Sequence, residues 1–228
     1  MHFEVPKVRM QSFREFVQHY LMIVLSILTA LGLEQWIEST HHRHAADQAR
    51  TQIEAELRSN IADIRMARTN NDKRLAPLKQ LNELVMQDLH AGAAAKAVNE
   101  HIRANRDKFT ISITWPTFYS QAWDVAVANQ SASWIDADEL RRYSAAYAAQ
   151  REASTWMTND STISLDARRM VDLRTRIELG MDVDPVDFLT VLHQMINTAT
   201  ETQSHLDQAE QQLLSGVPEA APATGKAP

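Results

Sequence analysis

Two groups of residues in this chain have the types that chemistry needs. The first is His41, His42 and His44, close to Glu34 and Glu38. On a helix, Glu38 and His42 stand four apart and share a face, which can bring two metal ligands together. Neighbouring histidines point about 100° apart around a helix axis, so the run cannot close one site by itself. No spacing here matches a known metal motif. The group therefore reads first as a polar, interfacial helix surface. Only second does it read as the ligand set of a metal-dependent enzyme built on Glu38 and His42.

The second group is aromatic: Trp115, Phe118, Tyr119, Trp123, Trp134, Tyr143, Tyr147 and Trp156. Such side chains can line a ligand pocket, with the polar atoms of Tyr and Trp fixing orientation. They can equally be the core of a small helical domain, and their helical spacing favours the core. Ser, Asp and His are otherwise scattered, and no GxSxG, HExxH or phosphate-loop signature is present. There are no cysteines, which removes disulfides, thiol chemistry and cysteine zinc sites, and only five glycines. The formal net charge is −6. No Lys/Arg cluster with interleaved aromatics appears, so a nucleic-acid groove is not expected. Neither catalysis nor a cofactor is expected.

The elements that must position these groups hang from one stretch, residues 16–37, FVQHYLMIVLSILTALGLEQWI. A helix rises about 1.5 Å per residue and a bilayer core of about 30 Å needs about 20 residues. Tyr20 and Trp36 stand where an aromatic belt belongs. Ser26, Thr29 and Ala30 form a small-residue strip along which two spans could approach. A buried core helix is a rival reading, because the strictly apolar run, Tyr20 to Leu33, is short. A cleaved signal peptide would use Ala30 and Gly32 before the cut, but its n-region would be unusually long and would carry Glu4 and Glu15. A surface helix would need a charged face, and Leu21 to Leu33 has none.

Residues 1–15 read as a short leader with Lys7, Arg9 and Arg14, against Arg43 and Arg50 after the span. The positive-inside rule places that leader in the cytoplasm. From Glu38 the helix is expected to continue, with Ala46, Ala49, Ile53, Leu57, Ile61 and Ile64 on one stripe. Thr69-Asn70-Asn71-Asp72 reads as a polar break. Leu75, Leu78, Leu81, Leu84, Val85 and Leu89 make a second stripe, so one long helix, bent or broken between about 69 and 77, should end before Gly92.

A short helix is expected over 93–103. Phe109 to Trp115 alternates like a strand, but a lone strand makes no sheet. It reads as an extended linker that lays Phe109, Ile111 and Ile113 on helices, or else as an edge for another protein. Thr117 to Asn129 predicts a buried helix. Asp136 followed by Glu139 starts the next, carrying Leu140, Tyr143 and Tyr147 to about Met157. Asn159-Asp160-Ser161 predicts a turn, and Ser164 a cap for a helix that Gly180 stops. Asp184-Pro185 starts the last helix, whose seam should weaken at Gln203 and Glu210. Residues 217–228 form a flexible Pro/Ala tail.

The segment FREFVQHYLMIVLSILTALGLEQWIEST, running into QARTQIEAELRSNIADI, resembles small uncharacterised bacterial single-pass membrane proteins. The later WDVAVANQSASWIDADELRRYSAAYA resembles their second block. Where those proteins often have Gly in the turn, this chain has Gln130-Ser131. The resemblance implies architecture and no residue-level chemistry.

The expected fold is all-α. A transmembrane helix over 16–37 continues into a helical extracytoplasmic bundle over 38–216. The expected function is a membrane-tethered periplasmic interaction or assembly module of the bacterial inner membrane, without catalysis. A sensor-like ligand-binding bundle that uses the aromatics of 115–156 is the alternative. The expected partners are the lipid bilayer and either another protein or a second copy, met through the span and the helix seams.

Overall fold

The computed structural model describes residues 13–163 and 167–217. It is all-α, with six helices: α1 Phe13–His90, α2 Ala95–Ala104, α3 Gln121–Ala128, α4 Ala137–Ile163, α5 Ala167–Glu178 and α6 Pro185–Gly216. Residues 1–12 of the leader, the Ser164 cap and the tail from residue 218 lie outside the described residues.

α1 is one helix of 78 residues, about 117 Å long at the ordinary rise. The expected break does not occur, and Pro77 is carried inside the helix. The polar residues of the expected break are spent on tertiary partners. Asn71 is buried against the chain at Thr114, Asp72 receives Gln203, and Arg74 donates to Ser112. Thr69 Oγ1 donates back to the Arg65 carbonyl within the helix.

The expected stripes form the core. Near the first half of the bundle, Ile53, Leu57, Ile61 and Ile64 of α1 meet Tyr143, Ala146 and Tyr147 of α4 and Leu206, Ala209 and Leu213 of α6. At the far end, Leu78, Leu81 and Val85 meet Val98 and Ile102 of α2, Leu173 and Ile177 of α5, and Phe188, Leu192 and Met195 of α6. α6 thus runs antiparallel to α1 and links both clusters. Asp184 caps it by accepting from the Asp187 N–H at 2.8 Å, with Pro185 in the first turn. At its foot a Cβ on Gly216 would lie 2.6 Å from Ala146 Cβ. A side chain there would push α6 off α4.

The strand-like run is extended and pairs with no strand among the described residues. Its backbone is held instead by asparagine side chains. Asn71 Nδ2 donates to the Thr114 carbonyl at 3.0 Å, and the Thr114 N–H donates to Asn71 Oδ1 at 2.7 Å. Asn60 makes the same pair of bonds with Tyr119, at 2.8 and 3.1 Å. The geometry closes because eleven residues of helix and five of extended chain each rise about 16 Å. Asn99 repeats the clasp on Val183 at 3.0 and 2.8 Å, fixing the approach to α6. All three asparagines are buried.

Several expectations change for local reasons. The helix expected from Thr117 begins at Gln121, because Asn60 holds Tyr119 in extended form. It is not buried all round: Ala126 faces inward while Val125 and Val127 are exposed, since only one side is covered by α1 and Ser131–Trp134. The turn expected at 159–161 is absent and α4 continues to Ile163. A run of turn-forming residues is a weak preference, and an established helix propagates through it at small cost. The α6 seam does not weaken. Gln203 Nε2 donates to the Arg68 carbonyl and to Asp72, and Glu210 is paired with Arg65 and Arg68. Gly180 follows the end of α5 with φ +73°, as a helix stop requires.

Asn71→Ala strands the Thr114 N–H and C=O in a largely buried place. It should cost about 1–3 kcal/mol in denaturant unfolding of the full-length protein in mild detergent. Asn70→Ala, one residue away and half-buried, should stay within about 0.5 kcal/mol of the unaltered protein.

Candidate functional site

The extended run descends along α1 from Phe109 to Ser120, and α3 carries the chain further toward the apolar end of α1. There the chain turns through a short 3-10 segment, Ser131–Trp134, before rising again as α4. Gln130 enters this turn with φ 64°, a left-handed conformation that costs a side-chain-bearing residue about 1–2 kcal/mol. Ser133 N–H and Oγ both bond the Gln130 carbonyl, and the Ile135 N–H bonds Ala132. Ser131, Ala132 and Ile135 are buried, so the turn is pinned from both sides and Trp134 is left pointing out, 49% exposed. Asp136 then caps α4 through the Asp138 N–H at 2.9 Å, while Glu139 reaches across to Arg50 at 2.9 Å.

Trp134 stacks on His42 with ring centroids 3.5 Å apart and planes 9° from parallel. Glu38 Oε1 lies 3.9 Å from His42 Nε2. Gln35, Glu38, Ser39, His42, Arg43 and Trp134 together line an open hollow of about 450 Å³. The expected pair Glu38 and His42 is thus brought together. His41 and His44 point away and are exposed. Among the described residues no cluster of three His, Asp or Glu stands ready to hold a metal ion. The hollow instead offers one cation, one carboxylate and an indole face, a combination suited to a zwitterionic or amphipathic group.

The aromatic group divides. Tyr143 and Tyr147 are fully buried, and their hydroxyls donate to Glu54 at 3.0 Å and Glu56 at 2.6 Å. Burial first, and then the bond to the neighbouring carboxylate, push both hydroxyls far above the ordinary tyrosine range, so they act as fixed donors. Glu56 also accepts the Ala122 N–H, which ties α3 to the same point. Trp123 stacks on Tyr147 at 5.3 Å, and Phe118 packs on the same core. Trp115 meets Trp156 edge-on at 6.0 Å, and Trp156 meets His205 at 4.7 Å. Trp134 alone stands apart, at the other end of α4. Nearness in sequence places Trp134 with these rings, but its three-dimensional partner is His42.

Glu210 is the buried carboxylate of the α1–α6 seam. Burial raises its pKa, but hydrogen bonds and charge from Arg65 and Arg68 outweigh that and hold it below its ordinary value. A smaller hollow of about 170 Å³ at the far end lies among Arg106, Phe109, Arg174 and Ile177. Its Arg174 is already paired with Glu178 at 3.0 Å.

The chain matches no protein-family model, no curated protein and no solved structure.

Trp123→Ala should cost about 3 kcal/mol of stability, at the lower end for aromatic truncation because the ring is only partly buried. An unchanged unfolding midpoint would show that the ring is not part of the core. Glu210 returns to its ordinary pKa on unfolding. Its stabilisation is therefore complete above the ordinary carboxylate range and lost as pH falls through the lowered folded value. Glu210→Gln should lower the unfolding midpoint at pH 7, and the gap to the unaltered protein should narrow in acid. A gap independent of pH would show that charge is not what the two arginines recognise.

Proposed function

We propose that the chain is a single-span, membrane-tethered interaction or assembly module without catalysis, set in a bacterial inner membrane. Its N-terminus lies in the cytoplasm and its helical domain in the periplasm. One observation carries this reading. The same helix that forms the core from Ala46 onward is bare over residues 16–37, where it is long and apolar enough to cross a membrane. Phe16, Tyr20, Leu21, Met22, Ile23, Leu25, Ile27, Leu28, Leu31, Leu33, Trp36 and Ile37 are all exposed. At about 1.5–3 kcal/mol for each large side chain moved out of water, a bilayer would repay on the order of 20 kcal/mol. The core helix of a soluble domain would be covered, and none of this window is.

Two details support the placement. The hydroxyls of Ser26 and Thr29 donate to the carbonyls of Met22 and Leu25 at 2.8 Å, so neither carries an unpaired donor into lipid. Three basic side chains, Lys7, Arg9 and Arg14, precede the segment, against Arg43 and Arg50 just after it. Beyond Ile37, α1 continues for about 80 Å. The domain is then a rod that holds helix faces at a set distance from the bilayer, which suits binding better than turnover. Tyr143 and Tyr147 are fully buried, which supports a core role for these two rings over a ligand-lining one.

The protein should remain in the membrane pellet after alkaline carbonate extraction. Protease added to intact spheroplasts should digest the C-terminal region and leave a small membrane-bound fragment. Release by carbonate would overturn the span, and protection until lysis would reverse the orientation.

A further inference from the structure

We propose that the Trp134 turn is a second membrane contact, a docking site for the phospholipid headgroup layer that seats the helical domain flush on the bilayer. The proposal rests on the span assigned above and adds a surface to it. Height is the first argument. His42 stands five residues beyond Ile37, so its ring is about 7 Å above the end of the apolar segment. A headgroup layer is about 5–7 Å deep on each side of the hydrocarbon. Trp134 is stacked on that ring and is drawn from the lowest turn of the folded domain, so its indole lies at headgroup level.

Chemistry is the second argument. A half-exposed tryptophan beside an open hollow is a poor feature for a water-facing turn. It is favourable at a bilayer interface, where the ring meets carbonyl and headgroup dipoles. Arg43 lines the same hollow and has no carboxylate within ion-pair distance among the described residues, so its guanidinium is available to a lipid phosphate. Glu38, on the same wall, faces the ammonium of an ethanolamine headgroup. Trp36 and His42 are six residues apart, which sets Trp36 and the Trp134 stack about 120° apart around α1. The two indoles thus anchor different sides of the helix at one boundary.

The fold also invests in presenting this residue. Gln130 takes a strained left-handed conformation, and Ser131, Ala132 and Ile135 are buried around it, with Trp134 as the side chain left outside.

The chain contains no cysteine, so single cysteines placed in the full-length protein report without background. Ile23→Cys, Ser133→Cys and Leu179→Cys, each carrying an environment-sensitive fluorophore, mark the span, the turn and the far end. The protein is reconstituted in phosphatidylethanolamine–phosphatidylglycerol vesicles with nitroxide on either the headgroup or the mid-acyl chain. Acyl nitroxide should quench the Ile23 label. Headgroup nitroxide should quench the Ser133 label at least twofold more than the Leu179 label. Adding Trp134→Ala and Arg43→Gln to the Ser133→Cys protein should reduce that quenching by at least half. If the Ile23 label is quenched but the Ser133 label behaves like Leu179, the span stands and the docking site is overturned. Quenching at Ser133 that ignores both substitutions overturns the assignment of Trp134 and Arg43. An Ile23 label that no nitroxide reaches overturns the span, and the docking site with it.

Discussion

An extended backbone inside a helical protein must find partners for its N–H and C=O groups, and no strand among the described residues provides them here. The buried amides of Asn60 and Asn71 do so, each offering one donor and one acceptor to a single residue of the passing chain. This clasp governs the rest of the route. It lets the chain return along α1 without a helix, and it delays α3 until after Tyr119. It also delivers the Ser131–Trp134 turn to the level of His42. Gln150 of α4 joins the same point by donating to the Tyr119 carbonyl and accepting from Asn60. One buried carbonyl thus ties three separate stretches of chain together.

The same logic recurs wherever polar groups enter the core. Tyr143 and Tyr147 cross from α4 to Glu54 and Glu56 of α1. Glu210 crosses from α6 to Arg65 and Arg68. Apolar packing brings the helices together but tolerates a slide of one turn, because stripes at three- and four-residue spacing look alike after each turn. Charged and amide pairs do not tolerate it. A buried carboxylate left without its arginines, or an asparagine facing a leucine, costs far more than a displaced methyl group. These pairs set the register of a long bundle whose hydrophobic pattern leaves it open.

Much of this was legible in the sequence. Ile53, Leu57, Ile61 and Ile64, then Leu78, Leu81 and Val85, announce the core because apolar burial is periodic. Asp136 and Asp184-Pro185 announce helix starts because capping is local. The asparagines were hidden for the opposite reason. A polar residue on an apolar stripe reads as an interruption, and the partner that justifies Asn71 is 43 residues away. The available signal was position: Asn60 and Asn71 fall on the buried face of α1, where an unpaired amide would not be tolerated. The site divided in the same way. Glu38 and His42 share a face by their spacing alone. Trp134 joins them only through the folded path of the chain, although it is nearer in sequence to Trp123 and Tyr143.

The continuity of α1 has a mechanical consequence. From the apolar segment into the bundle the helix has no glycine, no proline and no loop until Pro77, and Gly32 lies below the junction. The domain therefore has no hinge at its base. A tilt of about 20°, ordinary for a membrane helix, would swing the far end through nearly 30 Å, and a rotation about the axis would turn every bundle face by the same angle. Bilayer thickness, or a neighbouring span pressing on Ser26 and Ala30, would be read out as an angle at the tip. With the span proposed above, the molecule would be a pointer whose bearing is set in the lipid.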